Sequence, residues 1–380
     1  MLTSANPQLV LSHSTALLFW RAVREGRLPQ PLPLPDTTLP SATITSLRQI
    51  PSDLSLLGIN LSPQGALALY ELTQVRVGNS PRAQSTGKLV PLGLALPEGR
   101  PTPLHVLTSH DARRHANPAL VAHLLTRTLP TGSFCRVSDQ LMVVSPELAF
   151  VQSCLPARDL PNIELALELC GSYALATHGL RCRFDCPPLT SVQKLRLYLA
   201  RLGRHVGTSA ARRALEQCTD GMASPRETEV YLLVILPPTA GGYGLPRPLV
   251  NYEVRVRGTA AEALASEDHY RVDLAWKLPD GRYVVLEYDG SDEHDMDPEK
   301  VLADKERRSV LAAMGYVVIV IAKRDLASAP ALRAKMSQVC MALGRELPAF
   351  SPEEQAAQEA LLAWLGNPHH DHVPFGCGYF

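Results

Sequence analysis

Three carboxylates interrupt two apolar runs in residues 271–290, RVDLAWKLPDGRYVVLEYDG. Asp273, Glu287 and Asp289 have Val, Leu, Trp and Tyr as neighbours. A carboxylate buried in such company costs several kcal/mol unless a cation pairs with it, so either a salt bridge or a metal ion is expected. Between the runs stands Pro279-Asp280-Gly281, a turn in which Pro presets φ and Gly accepts a positive one. With those three residues as the hairpin loop, Leu278 faces Arg282, and counting outward sets Asp273 opposite Glu287. Directly opposed residues bring their Cβ atoms to about 4.5–5.5 Å on one face of the sheet. Asp289, two residues on, shares that face. The pattern predicts three acids on one side of a hairpin, a donor set suited to Mg²⁺ or Mn²⁺. The same count places Arg271 opposite Asp289, so a salt bridge, or a cap on the turn at Gly290, is the alternative for that acid. Asp273 and Glu287 have no comparable basic partner within the hairpin.

The elements needed to hold the hairpin are legible around it. A helix is predicted over 225–236, and strands at about 251–256, 271–277 and 282–289. A helix over 298–314 follows, ended by Gly315 at the C′ position. "YVVIVIA" is apolar throughout, as a buried central strand is, and a helix over 330–344 closes the unit. The fold class is α/β with a mixed sheet flanked by helices. Glu227 stands three residues after Ser224 with Pro225 between, a Ser-x-x-Glu capping box.

The preceding half reads as α+β. Residues 8–25 are expected as one helix, and the proline-dense "RLPQPLPLPDTTLP" as irregular chain. A polar surface loop is expected at 78–88, and short strands up to about 145. Ser145 is the expected N-cap of a helix with Pro146 at its first position. Between 181 and 216, eight basic residues face only Asp185 and Glu216. That run is either a solvated helical face or a set of phosphate contacts, for which Arg201, Arg204, Arg212 and Arg213 are the candidates. The organisation is therefore 1–180, a basic helical connector at 181–219, a unit at 220–345, and a helix with a polar tail at 346–380.

With 46% hydrophobic and 19% charged residues, the 380-residue chain belongs with globular rather than disordered proteins. Its formal net charge is zero, so polyanion binding requires a local patch. No cationic region precedes the first apolar stretch, and no apolar run is long enough to span a bilayer. A cytoplasmic location without membrane partners is expected, with the eight scattered cysteines as thiols. Cys182 and Cys186 with His178 have metal-ligand side chains, but no second pair follows at a zinc spacing. His369, His370 and His372 crowd the tail, where they have incidental metal affinity.

The order Asp273, hairpin, Glu287-x-Asp289-Gly290, His294, then Asp304 with Arg307 and Arg308 resembles the PD-(D/E)XK nuclease superfamily, in particular very-short-patch-repair-like endonuclease domains. The likeness covers about residues 220–328 and implies a restriction-endonuclease-like fold and Mg²⁺- or Mn²⁺-dependent hydrolysis of DNA. It implies that Asp273 and Glu287 hold the ion, that Glu227 orients a water, and that His294 is a general acid or phosphate contact. Arg308 is implied as a further nucleic-acid contact. Asp289 stands where the superfamily has a Lys. Upstream, "LSHSTALLFWR", "PLHVLTSHDARRH", "LVAHLL" and "VVSPELAFVQSC" resemble abortive-infection antitoxin-like proteins of the AbiEi type, which implies a phage-defence or toxin–antitoxin setting. No winged-helix pattern precedes the first of these segments. A catalytically inactive nuclease-fold regulator that binds DNA is the alternative.

Overall fold

The computed structural model describes residues 8–40, 104–110, 120–175, 182–290 and 298–366, in two units, one ending at Asp220 and one starting at Gly221. The polar loop expected at 78–88, His178, His294 and the tail histidines lie outside the described residues.

The first unit opens with β1 (Leu9–Leu11), α1 (His13–Arg24) and β2 (Leu32–Pro33). It continues through β3 (Leu104–Thr108), β4 (Leu120–Leu124), β5 (Phe134–Arg136) and β6 (Leu141–Val144). Then come α2 (Pro146–Ser153), α3 (Asp159–Leu169), α4 (Val192–Leu202) and α5 (Thr208–Glu216). The strands make a mixed sheet in the order β2-β5-β6-β1-β3-β4. The single helix expected over 8–25 is thus corrected: its first residues are a strand, wholly buried and paired with β6 on one side and β3 on the other. A short, continuous apolar run fits a buried helix or strand equally, and pairing on both edges decides it. Within the proline-rich run, expected to be irregular, Leu32 and Pro33 form a two-residue edge strand on β5. Proline is admitted at an edge because no ladder bond is asked of its nitrogen. Ser145 caps α2 by accepting the Leu148 N–H, with Pro146 at the start. The basic segment 181–219, expected as a connector, supplies α4 and α5, and α5 packs on α3.

Arg21 of α1 and Glu168 of α3 form an ion pair inside this unit, Nε–Oε1 at 2.7 Å and Nη2–Oε2 at 2.5 Å. Glu168 Oε1 also accepts the Leu175 N–H at 3.1 Å, which uses the carboxylate more fully and offsets its desolvation.

The second unit runs α6 (Pro225–Ile235), β7 (Leu249–Arg255), α7 (Thr259–Glu262), β8 (His269–Lys277) and β9 (Tyr283–Asp289). It ends with α8 (Pro298–Ala313), β10 (Val317–Ala322), α9 (Lys323–Leu326), α10 (Ala329–Ala342) and α11 (Pro352–Leu365). Its sheet has the order β10-β9-β8-β7, with β10 parallel to β9 and the other pairs antiparallel. Val254, Val272, Ala275, Tyr283, Val285 and Leu311 form its core, Leu311 bringing α8 onto the sheet. The expectation of a central strand for "YVVIVIA" is corrected, because β10 is an edge. Packing by α8 and α10 accounts for its apolar side chains. A continuous apolar run reports covered faces, not neighbours on both edges. Among the described residues, no helix is long and apolar enough to cross a membrane.

Candidate functional site

The turn forms as its residues dictate. Gly281 takes φ +87° and donates its N–H to Leu278 O at 3.0 Å, while Leu278 N–H donates to Arg282 O at 2.8 Å. From there β8 and β9 pair in the expected register, Lys277 with Tyr283 through Leu274 with Leu286. The next step outward is Asp273 with Glu287, and there regular pairing stops. Asp273 instead turns its carboxylate onto the backbone of β9, Oδ2 accepting the Tyr288 N–H at 2.8 Å. On the other side of β8, Val250 pairs with Leu274 and Tyr252 with Val272, so Asn251 falls opposite Asp273 by count and is passed over. Asn251 has a φ of +47°, a left-handed value inside a strand. The sheet is therefore interrupted on both sides of one acid.

Asn251 also ties the helix to this gap. Its Nδ2 donates to Gly221 O at 2.8 Å and to Glu227 Oε2 at 2.7 Å. Ser224 Oγ accepts the Glu227 N–H at 3.1 Å, the first half of a capping box. The Glu227 carboxylate completes it by accepting the Ala223 N–H at 3.1 Å, one residue before the N-cap rather than at it. Capping and proximity to the acids coexist in this one side chain. Ser224→Ala is expected to destabilise the protein by about 1 kcal/mol; a urea midpoint identical to that of the parent excludes the cap as a source of stability.

Glu227 and Glu287 both act electrostatically on Asp273. Burial pushes the Asp273 carboxyl up to about 7, and the negative charges of Glu227 and Glu287 add to that. The Tyr288 N–H and Arg307 oppose the rise. Glu287 is 2% exposed, and burial raises its pKa too, with Arg307 and Arg308 pulling it back. These cations come from α8. Arg307 Nη2 lies 3.0 Å from Glu287 Oε2 and 3.4 Å from Asp304 Oδ1. Arg308 Nη2 lies 3.2 Å from Asp289 Oδ2. Asp289 thus has an ion pair from the helix, and Arg308, expected at nucleic acid, is engaged by an acid. Glu287 Oε1, Arg307 Nε and Arg308 Nε are buried without hydrogen-bond partners.

Among the described residues, no group of three or more His, Cys, Asp or Glu side chains is gathered as around a metal ion. The donor chemistry nonetheless fits a hard cation. Two desolvated carboxylates stand together, one with an unpartnered oxygen, and a divalent ion would relieve both. Sequence reasoning missed Asn251 and the inward turn of Arg307. An Asn within a strand pattern is a weak signal, since that residue is depleted there; nothing local marks Arg307.

The basic candidates lie in the first unit. Arg201, Arg204, Arg212 and Arg213 are exposed on or beside α4 and α5. Asp159 neutralises Arg213 at 2.9 Å, and Arg212 Nη2 donates to Leu199 O at 3.3 Å. Arg196, Arg212 and Glu216 share a cleft of about 220 Å³ between the two helices.

Compared with protein families, curated proteins and solved structures, the chain matches none.

Proposed function

We propose that residues 220–345 are a metal-dependent nuclease domain of the PD-(D/E)XK superfamily, of the very-short-patch-repair-like kind, hydrolysing phosphodiester bonds in DNA. Glu287 carries the reading. It is a nearly inaccessible carboxylate with one unpartnered oxygen, and its charge, with that of Glu227, acts on a second acid, Asp273, whose pKa is raised to about 7. A structural salt bridge explains its Oε2 but leaves Oε1 at a cost of roughly 1–3 kcal/mol or more.

Asp273 and Glu287 would hold Mg²⁺ or Mn²⁺, with Glu227 beside them. Such an ion supplies Lewis-acid polarisation of a phosphoryl oxygen and a more acidic water. The chain supplies the rest. Asn251 fixes the Glu227 carboxylate through a 2.7 Å bond. Asp289 replaces the superfamily's Lys, and the positive charge beside the acids comes from Arg307 and Arg308 instead. Exposed arginines on α4 and α5 are further candidates for backbone contacts.

One observation favours a second reading, a catalytically inactive nuclease-fold regulator of antitoxin type that binds DNA. Arg307 already stands 3.0 Å from Glu287, in the role a cation would take. Cleavage of supercoiled plasmid in Mg²⁺ or Mn²⁺ decides between them. The nuclease reading expects nicking that falls at least about a hundredfold in Asp273→Ala and in Glu287→Ala, the scale on which electrostatic catalytic groups act. Retention of plasmid without nicking in either ion selects the regulator. Neither nicking nor retention removes both.

A further inference from the structure

Three histidines distant in sequence meet in the first unit. His13 opens α1, His105 lies on β3, and His123 lies on β4, which runs parallel to β3. His105 Nδ1 is 2.9 Å from His123 Nε2. The His13 and His123 rings stack with centroids 3.7 Å apart and planes inclined by 20°.

The backbone is strained to achieve this. His13 holds a φ of +50°, a conformation that costs a residue with a side chain about 1–3 kcal/mol and clusters at functional positions. Its N–H donates to Gln152 Oε1 of α2 at 3.2 Å, and its Nδ1 bonds Ser12 Oγ at 2.9 Å, which orients the ring and leaves Nε2 forward. A fourth imidazole, His205, precedes α5 and acts electrostatically on His13. Its Nδ1 is bonded to the Val206 carbonyl at 2.8 Å, again leaving Nε2. The loop carrying it is pinned against α2, because Gly207 passes so near that a Cβ there would lie 2.0 Å from Val151 O.

We propose that His13, His105 and His123 form a binding site for a borderline divalent transition-metal ion such as Zn²⁺, Co²⁺ or Ni²⁺. Metal-bound imidazoles are typically oriented by a hydrogen bond at the second ring nitrogen, as His13 is here. Zinc–nitrogen bonds of about 2.0–2.1 Å in a tetrahedral site separate ligand nitrogens by about 3.3 Å. The His105–His123 pair is already close to that spacing. The remaining donors do not yet converge, so capture turns the His13 ring out of its stack. An all-nitrogen donor set selects these ions over Mg²⁺. Burial and the neighbouring imidazoles hold His13 well below its ordinary pKa, and burial holds His105 down to about 4. The site is independent of the acidic site in the second unit.

The test uses the full chain with His369, His370 and His372 changed to Ala, so that these clustered imidazoles do not contribute to the signal. Chelator-stripped protein is titrated with Co²⁺, read by its visible absorption, and with Zn²⁺ against a chromophoric chelator. One equivalent is expected, undisturbed by excess Mg²⁺, with affinity falling at least about tenfold in His123→Ala and His105→Ala. His105 is a core residue, so if His105→Ala loses its circular dichroism, His13→Ala, at a partly buried position, is read instead. No Co²⁺ uptake by the tail-substituted chain overturns the proposal. So does affinity unchanged in His123→Ala and His13→Ala.

Discussion

Arg307→Met is expected to destabilise the second unit by about 2–4 kcal/mol at pH 8, on the lower side of what breaking a buried ion pair costs because the guanidinium is partly exposed. The loss arises at Glu287. With Arg307 gone, a carboxylate 3% exposed in its side chain keeps Arg308 as a more distant influence but loses its 3.0 Å partner. The carboxylate either remains charged without compensation or takes up a proton, and both raise the energy of the folded state at pH 8. Glu287→Gln in the same chain should recover most of the stability, since the neutral amide leaves no buried charge. Urea unfolding followed by far-UV circular dichroism measures both. If the single and double variants unfold at the same urea concentration, Glu287 is not what Arg307 stabilises. Mn²⁺ provides a second readout. A cation at the acids and the Arg307 guanidinium satisfy the same carboxylate, so Mn²⁺ should raise the melting temperature of Arg307→Met more than that of the parent. Equal shifts place the ion elsewhere.

That competition also explains how far the site could be read from the chain. The turn residues specify a register, and β8 and β9 follow it to within one step of the acids, because Pro279 and Gly281 act locally through φ. What happens at Asp273 is not local. A side chain that replaces a ladder bond by accepting the Tyr288 N–H depends on where β9 bends, and Asn251 is passed over because a helix cap from α6 reaches it. Neither event has a periodicity. Arg307 and Arg308 illustrate the same limit from the other direction. Adjacent arginines on a polar helix read as solvent-facing, and only the docking of α8 through Leu311 shows that both reach acids on the sheet. Arg21 with Glu168 is the first unit's counterpart, two charged residues on apolar helices whose burial as a pair is invisible until the helices meet. The strand at Leu9–Leu11 and the edge position of β10 were misread for one physical reason. Hydrophobicity records whether a segment is covered, and both strand and helix, both centre and edge, are compatible with cover.

Asp273→Asn should reverse the usual cost of a core substitution, and only above a particular pH. Burial, Glu227 and Glu287 raise the Asp273 pKa from its ordinary carboxylate value to about 7 in the folded chain. Between those two values the folded state holds a proton that the unfolded state has lost. Stability therefore falls as pH rises through that window, and the deficit is complete above about pH 7. Asparagine is always neutral and its Oδ1 can still accept the Tyr288 N–H, so the variant escapes the deficit. A gain on the order of 2 kcal/mol is expected at pH 8, about half of what the full shift implies, because the group is partly solvated. At pH 4 the two proteins should be nearly equal. Measured in EDTA, melting temperatures that separate with rising pH support this account, and a difference independent of pH removes it. Saturating Mn²⁺ adds the link to function. At pH 8 the parent's Asp273 is largely ionised, so the ion is expected to compensate its buried charge and restore stability, whereas Asp273→Asn, already relieved, should gain little. On the proposed nuclease reading, a bound cation is the circumstance in which the charged form of Asp273 becomes the stable one.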